Sequence, residues 1–234
     1  MKRAYAIAAI AVGASWATTA WADPPQLKGS YGFTGVAACL TAPGGTPPAP
    51  PTTPGTAYTN AGFNGSLQPI DPGTSFTRTY SVEGIRTFDG HGNGWVKGTV
   101  VVVLGRPTPG PTGLPSFPPS ASSADFKFRF TYVVSGDGSW TATMVPNSYS
   151  ENIVAGPRTG QTATVDAIPP VSGMISDDGK TLIAAHLAPV VETHSFSNGD
   201  VWPEICNRSR VFIKLQDSDN DHDGDDNNGN GHDH

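Results

Sequence analysis

The chain has 234 residues, of which 37% are hydrophobic and 15% charged, with 28 glycines, 22 prolines and 2 cysteines. Its net charge of −6 is concentrated at one end, because the stretch from Asp217 to His234 holds acidic residues and no Lys or Arg. With no basic patch or stripe to meet phosphates, nucleic acid is excluded as a partner class, and the length between the two ends suits one sizeable core rather than two.

Lys2 and Arg3, an apolar stretch from Ala4 to Ala14 and the Ala20-Trp21-Ala22 step form the three parts of a secretory signal over residues 1–22. Cleavage is expected after Ala22. The apolar stretch is shorter than the roughly 20 residues a spanning helix needs, so the mature protein is expected to be exported and soluble, in the periplasm or outside the cell. In that oxidising setting a disulfide is the expected fate of Cys39 and Cys206.

Strand patterns begin at Tyr31–Leu40. Thr77–Phe88 and Trp95–Leu104 flank Asp89-Gly90-His91-Gly92-Asn93-Gly94, whose Asp-Gly and Asn-Gly steps suit a hairpin turn. His91 and its neighbours are read as turn chemistry rather than as a chelating group. Phe126–Ser135 and Ser139–Val145 flank Gly136-Asp137-Gly138, and Thr162–Ser176 and Thr181–Phe196 flank Asp177-Asp178-Gly179-Lys180. Ile205–Gln216 is the last strand, which makes eight. No helical period appears, so the crossovers of a parallel sheet are missing. Antiparallel pairing that sets Cys39 opposite Cys206 also sets Tyr31 opposite Lys214, and would lock the first strand to the last.

Alternation is clearest in the fourth strand, where Phe126, Phe128, Phe130 and Tyr132 share one face and Lys127, Arg129 and Thr131 the other. The last strand alternates less cleanly, with Val211, Ile213 and Leu215 opposed by Arg210, Phe212 and Lys214. Val100–Leu104 is apolar throughout and reads as covered on both faces. The Pro-rich segments 41–55 and 107–123 are read as loops, on the surface or across a mouth. The segment 217–234, built of Asp, Asn, Gly, His and Ser, cannot bury apolar area against its ordering entropy and is expected to be disordered.

Few residues suggest chemistry. Asp219, Asp221 and Asp223 before Gly224 reproduce the opening of a calcium loop, but Asn230 stands where a bidentate Glu belongs, so any Ca²⁺ affinity is expected to be weak. His222, His232 and His234 offer imidazoles to a transition metal; a solvated acidic terminus is the plainer reading. No other cofactor is implied. Glu192 and His194 flank Thr193 on one face, a pairing that suits a base or a ligand but is read as a surface pair, and Pro189 makes their parity with His186 unreliable. No nucleophile elbow, phosphate loop or H-E-x-x-H motif occurs. Phe126, Phe128, Phe130 and Tyr132 either fill the interior or line an apolar cavity open at one mouth, with Trp95, Trp140 and Trp202 near the strand ends where an entrance would lie.

Leu27-Lys28-Gly29-Ser30-Tyr31-Gly32-Phe33, the Thr87–Gly94 turn and Ser172–Lys180 resemble repeated elements of exported bacterial proteins of uncharacterised function, whose layout is similar to lipocalin-like or calycin-like barrels. The resemblance implies a barrel and carries no catalytic residue across; the lipocalin G-x-W is replaced here by Gly29-Ser30-Tyr31. The expected architecture is an eight-stranded antiparallel up-and-down barrel over residues 23–216, with a two-sheet sandwich as the alternative. The expected role is binding a small apolar molecule in the lumen. An isomerase or cyclase in the same lumen, which such barrels also support by analogy, and metal binding by the acidic segment are the alternatives.

Overall fold

The computed structural model describes residues 27–42, 62–70, 72, 75–105, 120–166 and 168–216. The signal segment, most of both Pro-rich segments and all six metal-ligand candidates of residues 217–234 lie outside the described residues. Eleven strands form one antiparallel sheet: β1 (Lys28–Thr41), β2 (Phe76–Asp89), β3 (Asn93–Leu104), β4 (Ser120–Val134), β5 (Ser139–Met144), β6 (Ser150–Ala155), β7 (Thr162–Asp166), β8 (Val171–Ile175), β9 (Thr181–His186), β10 (Val191–Phe196) and β11 (Val201–Lys214). There are thus more strands than the eight expected. The loop boundaries also shift, since Thr41 ends β1 and residues 120–123 open β4.

The ring closes as the cysteine positions suggest. β1 pairs with β11 in the register Tyr31↔Lys214 and Cys39↔Cys206, and the disulfide joins the two cysteines across a Cα–Cα distance of 4.1 Å. Closure runs β1-β2-β3-β4-β5-β8-β9-β11 and back to β1, an eight-strand ring in a single sheet rather than two stacked ones.

Of the three extra strands, one is β6 and two come from proline breaks. Thr162–Ser176 splits around Pro169 and Pro170 into β7 and β8, and Thr181–Phe196 splits around Pro189 into β9 and β10, because proline has no N–H for the ladder. The halves then go to different levels of the wall. Residues 130–134 of β4 pair with β5 while 123–127 pair with β6; residues 209–213 of β11 pair with β9 while 201–205 pair with β10. Between β4 and β11 the wall is therefore two tiers, β5-β8-β9 and β6-β7-β10, and each tier completes a ring with β1, β2 and β3.

The two ends of the ring differ. At the end bearing the β2–β3, β4–β5 and β8–β9 turns, Tyr31, Phe88, Phe130, Trp140 and Phe212 are packed edge to face. There the Tyr132 hydroxyl donates to Leu27 O (2.6 Å) and the Tyr31 hydroxyl to Gly179 O (2.8 Å), which ties the plug to the rim. In the β2–β3 turn, the Asp89 carboxylate accepts from His91 N (2.6 Å) and Asn93 N (2.9 Å), consistent with turn chemistry for this segment. The opposite end carries the β6–β7 and β10–β11 turns. It is also where β1 and β3 end and β2 and β4 begin.

Inside and outside faces follow strict alternation, but not always the hydropathy. β4 puts Ala124, Phe126, Phe128, Phe130 and Tyr132 inward, as expected. β11 is reversed: Phe212 is fully buried while Val211 and Ile213 face outward, and Arg208, Arg210 and Glu204 share the inner face with Cys206. Val101 and Val103 on β3 are about half exposed, so that strand is covered on its inner face only.

Candidate functional site

Between the aromatic plug and the opposite end, the interior is charged. Arg78 and Tyr80 from β2, His194 from β10, and Glu204 from β11 converge there. The Arg78 guanidinium bridges the Glu204 carboxylate, which also accepts from the Tyr80 hydroxyl (3.1 Å) and from Thr41 Oγ1 (3.3 Å). His194 Nε2 lies 2.7 Å from Glu204 Oε1, in contact though off the line of a good hydrogen bond. Burial opposes ionisation of Glu204, but Arg78 and His194 outweigh it and hold this carboxyl far below the usual carboxylate range. Burial would likewise lower Arg78, and Glu204 reverses the sign.

A second pair lies beside the first. Arg208 bridges Glu192 and lies 3.3 Å from His186 Nδ1. Burial, reinforced by Arg208 and Arg210, lowers the His186 pKa to about 3, so this imidazole stays neutral. Glu192 and His194, expected as a surface pair, are instead 0% and 6% exposed. The physical reason is that alternation across β10 places both toward the lumen, where β11 supplies the arginine for Glu192.

Two adjoining chambers with shared lining residues border this cluster. The outer one, of about 310 Å³, is lined by Arg78, Tyr80, Glu151, Arg158, His194 and Trp202, among others. At its rim the Arg158 guanidinium from the β6–β7 turn stacks on Trp202 (3.8 Å to the ring centroid) and bonds Asp200 of the β10–β11 turn at 2.6 Å. The inner one, of about 70 Å³, shares Tyr80, Glu151 and His194 with the outer and adds Phe126, Phe128, Tyr149 and Arg210. Phe126, Phe128 and Tyr149 form a stack with centroids 5.9–6.3 Å apart. Larger depressions of about 550 and 820 Å³ lie on the outer face, over β1-β11-β9-β8 and over β2-β3-β4-β6-β7, with Arg210 bordering the first and Glu151 the second.

The aromatic candidates divide between two roles. Phe126 and Phe128 line the inner chamber, whereas Phe130 and Tyr132 belong to the plug. Of the three tryptophans, Trp202 lines the outer chamber, Trp140 is sealed in the plug, and Trp95 points outward with about half its surface exposed. The functional residues that sequence reasoning missed are Arg78, Tyr80, Glu204, Arg208 and Arg210. Their signal was present in cysteine parity: a bridged Cys206 facing inward forces residues 204, 208 and 210 inward with it.

Glu192, His194 and Glu204 offer ligand atoms within 4.8 Å of one another. Both carboxylates are already neutralised by arginine, and a divalent cation would add charge to a cluster that holds four guanidiniums, so the arrangement disfavours a metal. No protein-family model matches the chain, and no curated protein matches it at a significant level. Among the described residues no helix is long and apolar enough to cross a membrane.

Proposed function

We propose that this is an exported binding protein whose ring holds one small organic molecule in the paired chambers. The observation that carries the reading is the asymmetry of the interior: one end is filled by interlocked aromatics, while the other keeps about 310 Å³ of space opening onto an aromatic stack and buried polar groups. That volume lies at the lower end of small-ligand pockets, and a mostly apolar wall with a few convergent polar groups is what such pockets share. The lipocalin-like or calycin-like barrel expected from the turn motifs belongs to this reading, supported by the eight-strand ring closed between first and last strands. The signal pattern at residues 1–22 and the disulfide support export. Because Arg78, Glu204 and His194 face the lumen, the ligand is amphipathic rather than purely apolar.

Titration with the environment-sensitive probe N-phenyl-1-naphthylamine tests the proposal. Fluorescence should rise and saturate at one probe per chain, confirmed by native mass spectrometry. A folded protein that leaves probe emission unchanged overturns it.

A second reading rests on one contact. His194, 2.7 Å from Glu204 and bordering both chambers, has the placement of an acid–base group oriented by a carboxylate, which favours the isomerase or cyclase alternative.

A further inference from the structure

The interior charges do not balance. Setting His194 aside, four arginines (Arg78, Arg86, Arg208, Arg210) face three glutamates (Glu151, Glu192, Glu204), one positive charge in excess. Arg78 and Arg208 are paired with Glu204 and Glu192. Glu151 borders both chambers and accepts from the Tyr149 hydroxyl at 2.9 Å. Among the described residues, no carboxylate bridges Arg86 or Arg210.

Arg86 is 2% exposed, and its Nε and Nη1 make no hydrogen bond among the described residues. Its guanidinium is held over the rings of Phe130 (4.5 Å) and Phe212 (5.1 Å), which attract a cation but accept no conventional hydrogen bond. Arg210 lies over Phe33 at 5.8 Å, borders the inner chamber, and also has an unbonded Nε. Burial lowers the proton affinity of both; Arg210 lowers that of Arg86 further and Arg208 that of Arg210, and although Tyr149 and Glu192 act the other way, Arg210 still falls to about 10. It therefore stays charged at neutral pH. A buried charge left without a bridging partner is costly, so an interior with guanidiniums in excess of its carboxylates favours taking up an anion.

We propose that the ligand carries a carboxylate, seated in the inner chamber against Arg210, with its apolar body on the Phe126–Phe128–Tyr149 stack and in the outer chamber. This inference rests on the lumen-binding reading above and names its ligand class. Size and charge together select the group. The inner chamber, at about 70 Å³, has room for a group the size of two waters at roughly 30 Å³ each. An excess of one positive charge matches a monoanion better than a phosphate dianion. The planar fork of a guanidinium fits a carboxylate through two parallel N–H···O bonds.

The test compares 4-phenylbutyrate with 4-phenylbutyramide, which have nearly the same shape and differ in charge, by isothermal titration of the mature protein. The acid should bind at least tenfold tighter than the amide. Arg210→Met should weaken the acid far more than the amide, so that the tenfold preference is lost, and Arg210→Lys should restore part of it. Equal binding of acid and amide by the unsubstituted protein overturns the carboxylate site while leaving the lumen reading intact, and needs no variant to fold. The same holds if N-phenyl-1-naphthylamine binds and neither phenylbutyryl compound does. A preference that survives in a folded Arg210→Met protein also overturns it, and failure of every probe to bind removes both readings.

Discussion

Glu204 is the residue on which most of the interior depends. It is fully buried and takes contacts from Arg78, Tyr80, Thr41 and His194, contributed by three other strands of the ring. Replacing such a carboxylate removes one charge and leaves another stranded, and the second effect is the larger. Glu204→Gln keeps the shape but leaves the Arg78 guanidinium without a counter-charge, which should cost about 3–5 kcal/mol. Urea unfolding followed by tryptophan fluorescence should show a markedly lower midpoint. The double variant Glu204→Gln, Arg78→Met removes both charges and should recover part of the loss, a difference that a double-mutant cycle measures directly.

At the scale of the strands, closure needs places where the chain can bend sharply. Gly84 and Gly98 face each other across β2 and β3, and a Cβ built on Gly98 would come 2.2 Å from Glu83 O and 3.0 Å from the Phe126 ring. The missing side chains let the two strands approach and let the Phe126 ring settle over the gap. Gly98→Ala should therefore destabilise by about 1–3 kcal/mol, read as a lower thermal midpoint, with some change in the inner chamber that Phe126 lines. The same scale shows what could be read from sequence. β1 through β5 were legible because their turns carry Asp-Gly and Gly-Asp-Gly steps and β4 alternates cleanly. β6 was not, because Ser150–Ala155 is short and half exposed, with only Ile153 fully buried. β11 misled for the opposite reason: its inner face carries Arg208 and Arg210, so hydropathy points the strand the wrong way round. A pattern rule assumes that charge faces water, and a lumen with its own counter-charges suspends the rule.

For the molecule as a whole, the disulfide links positions 167 residues apart and lies on the ladder that joins the chain's first and last strands. In the chain-entropy account, a crosslink of that span restricts the unfolded state by about 5 kcal/mol, although measured values often fall short. The paired variant Cys39→Ala, Cys206→Ala should keep the far-ultraviolet circular dichroism of the parent and lose several kcal/mol in guanidinium unfolding. A variant that loses its β spectrum would mean that the hydrogen-bonded register of β1 with β11 does not hold the ring without its crosslink. The two-tier wall explains why the sequence reads as eight strands in simple up-and-down order while the sheet has eleven with non-sequential neighbours. Whether a proline ends a strand or sends the chain to another level depends on partners far away in sequence, and only the folded ring shows that β4 and β11 each serve two neighbours.

Both sulfurs face the lumen side of the ring, and Cys39 and Cys206 are 3% and 4% exposed. Thiol–disulfide exchange needs an attacking thiolate to reach one sulfur in line with the other, and the finished wall blocks that approach. An oxidant must then act while the first and last strands are still loosely gathered, because little sulfur surface remains for a later reductant to reach. Sulfur chemistry here works as a one-way latch, set during assembly and withdrawn from the solvent once the last strand docks.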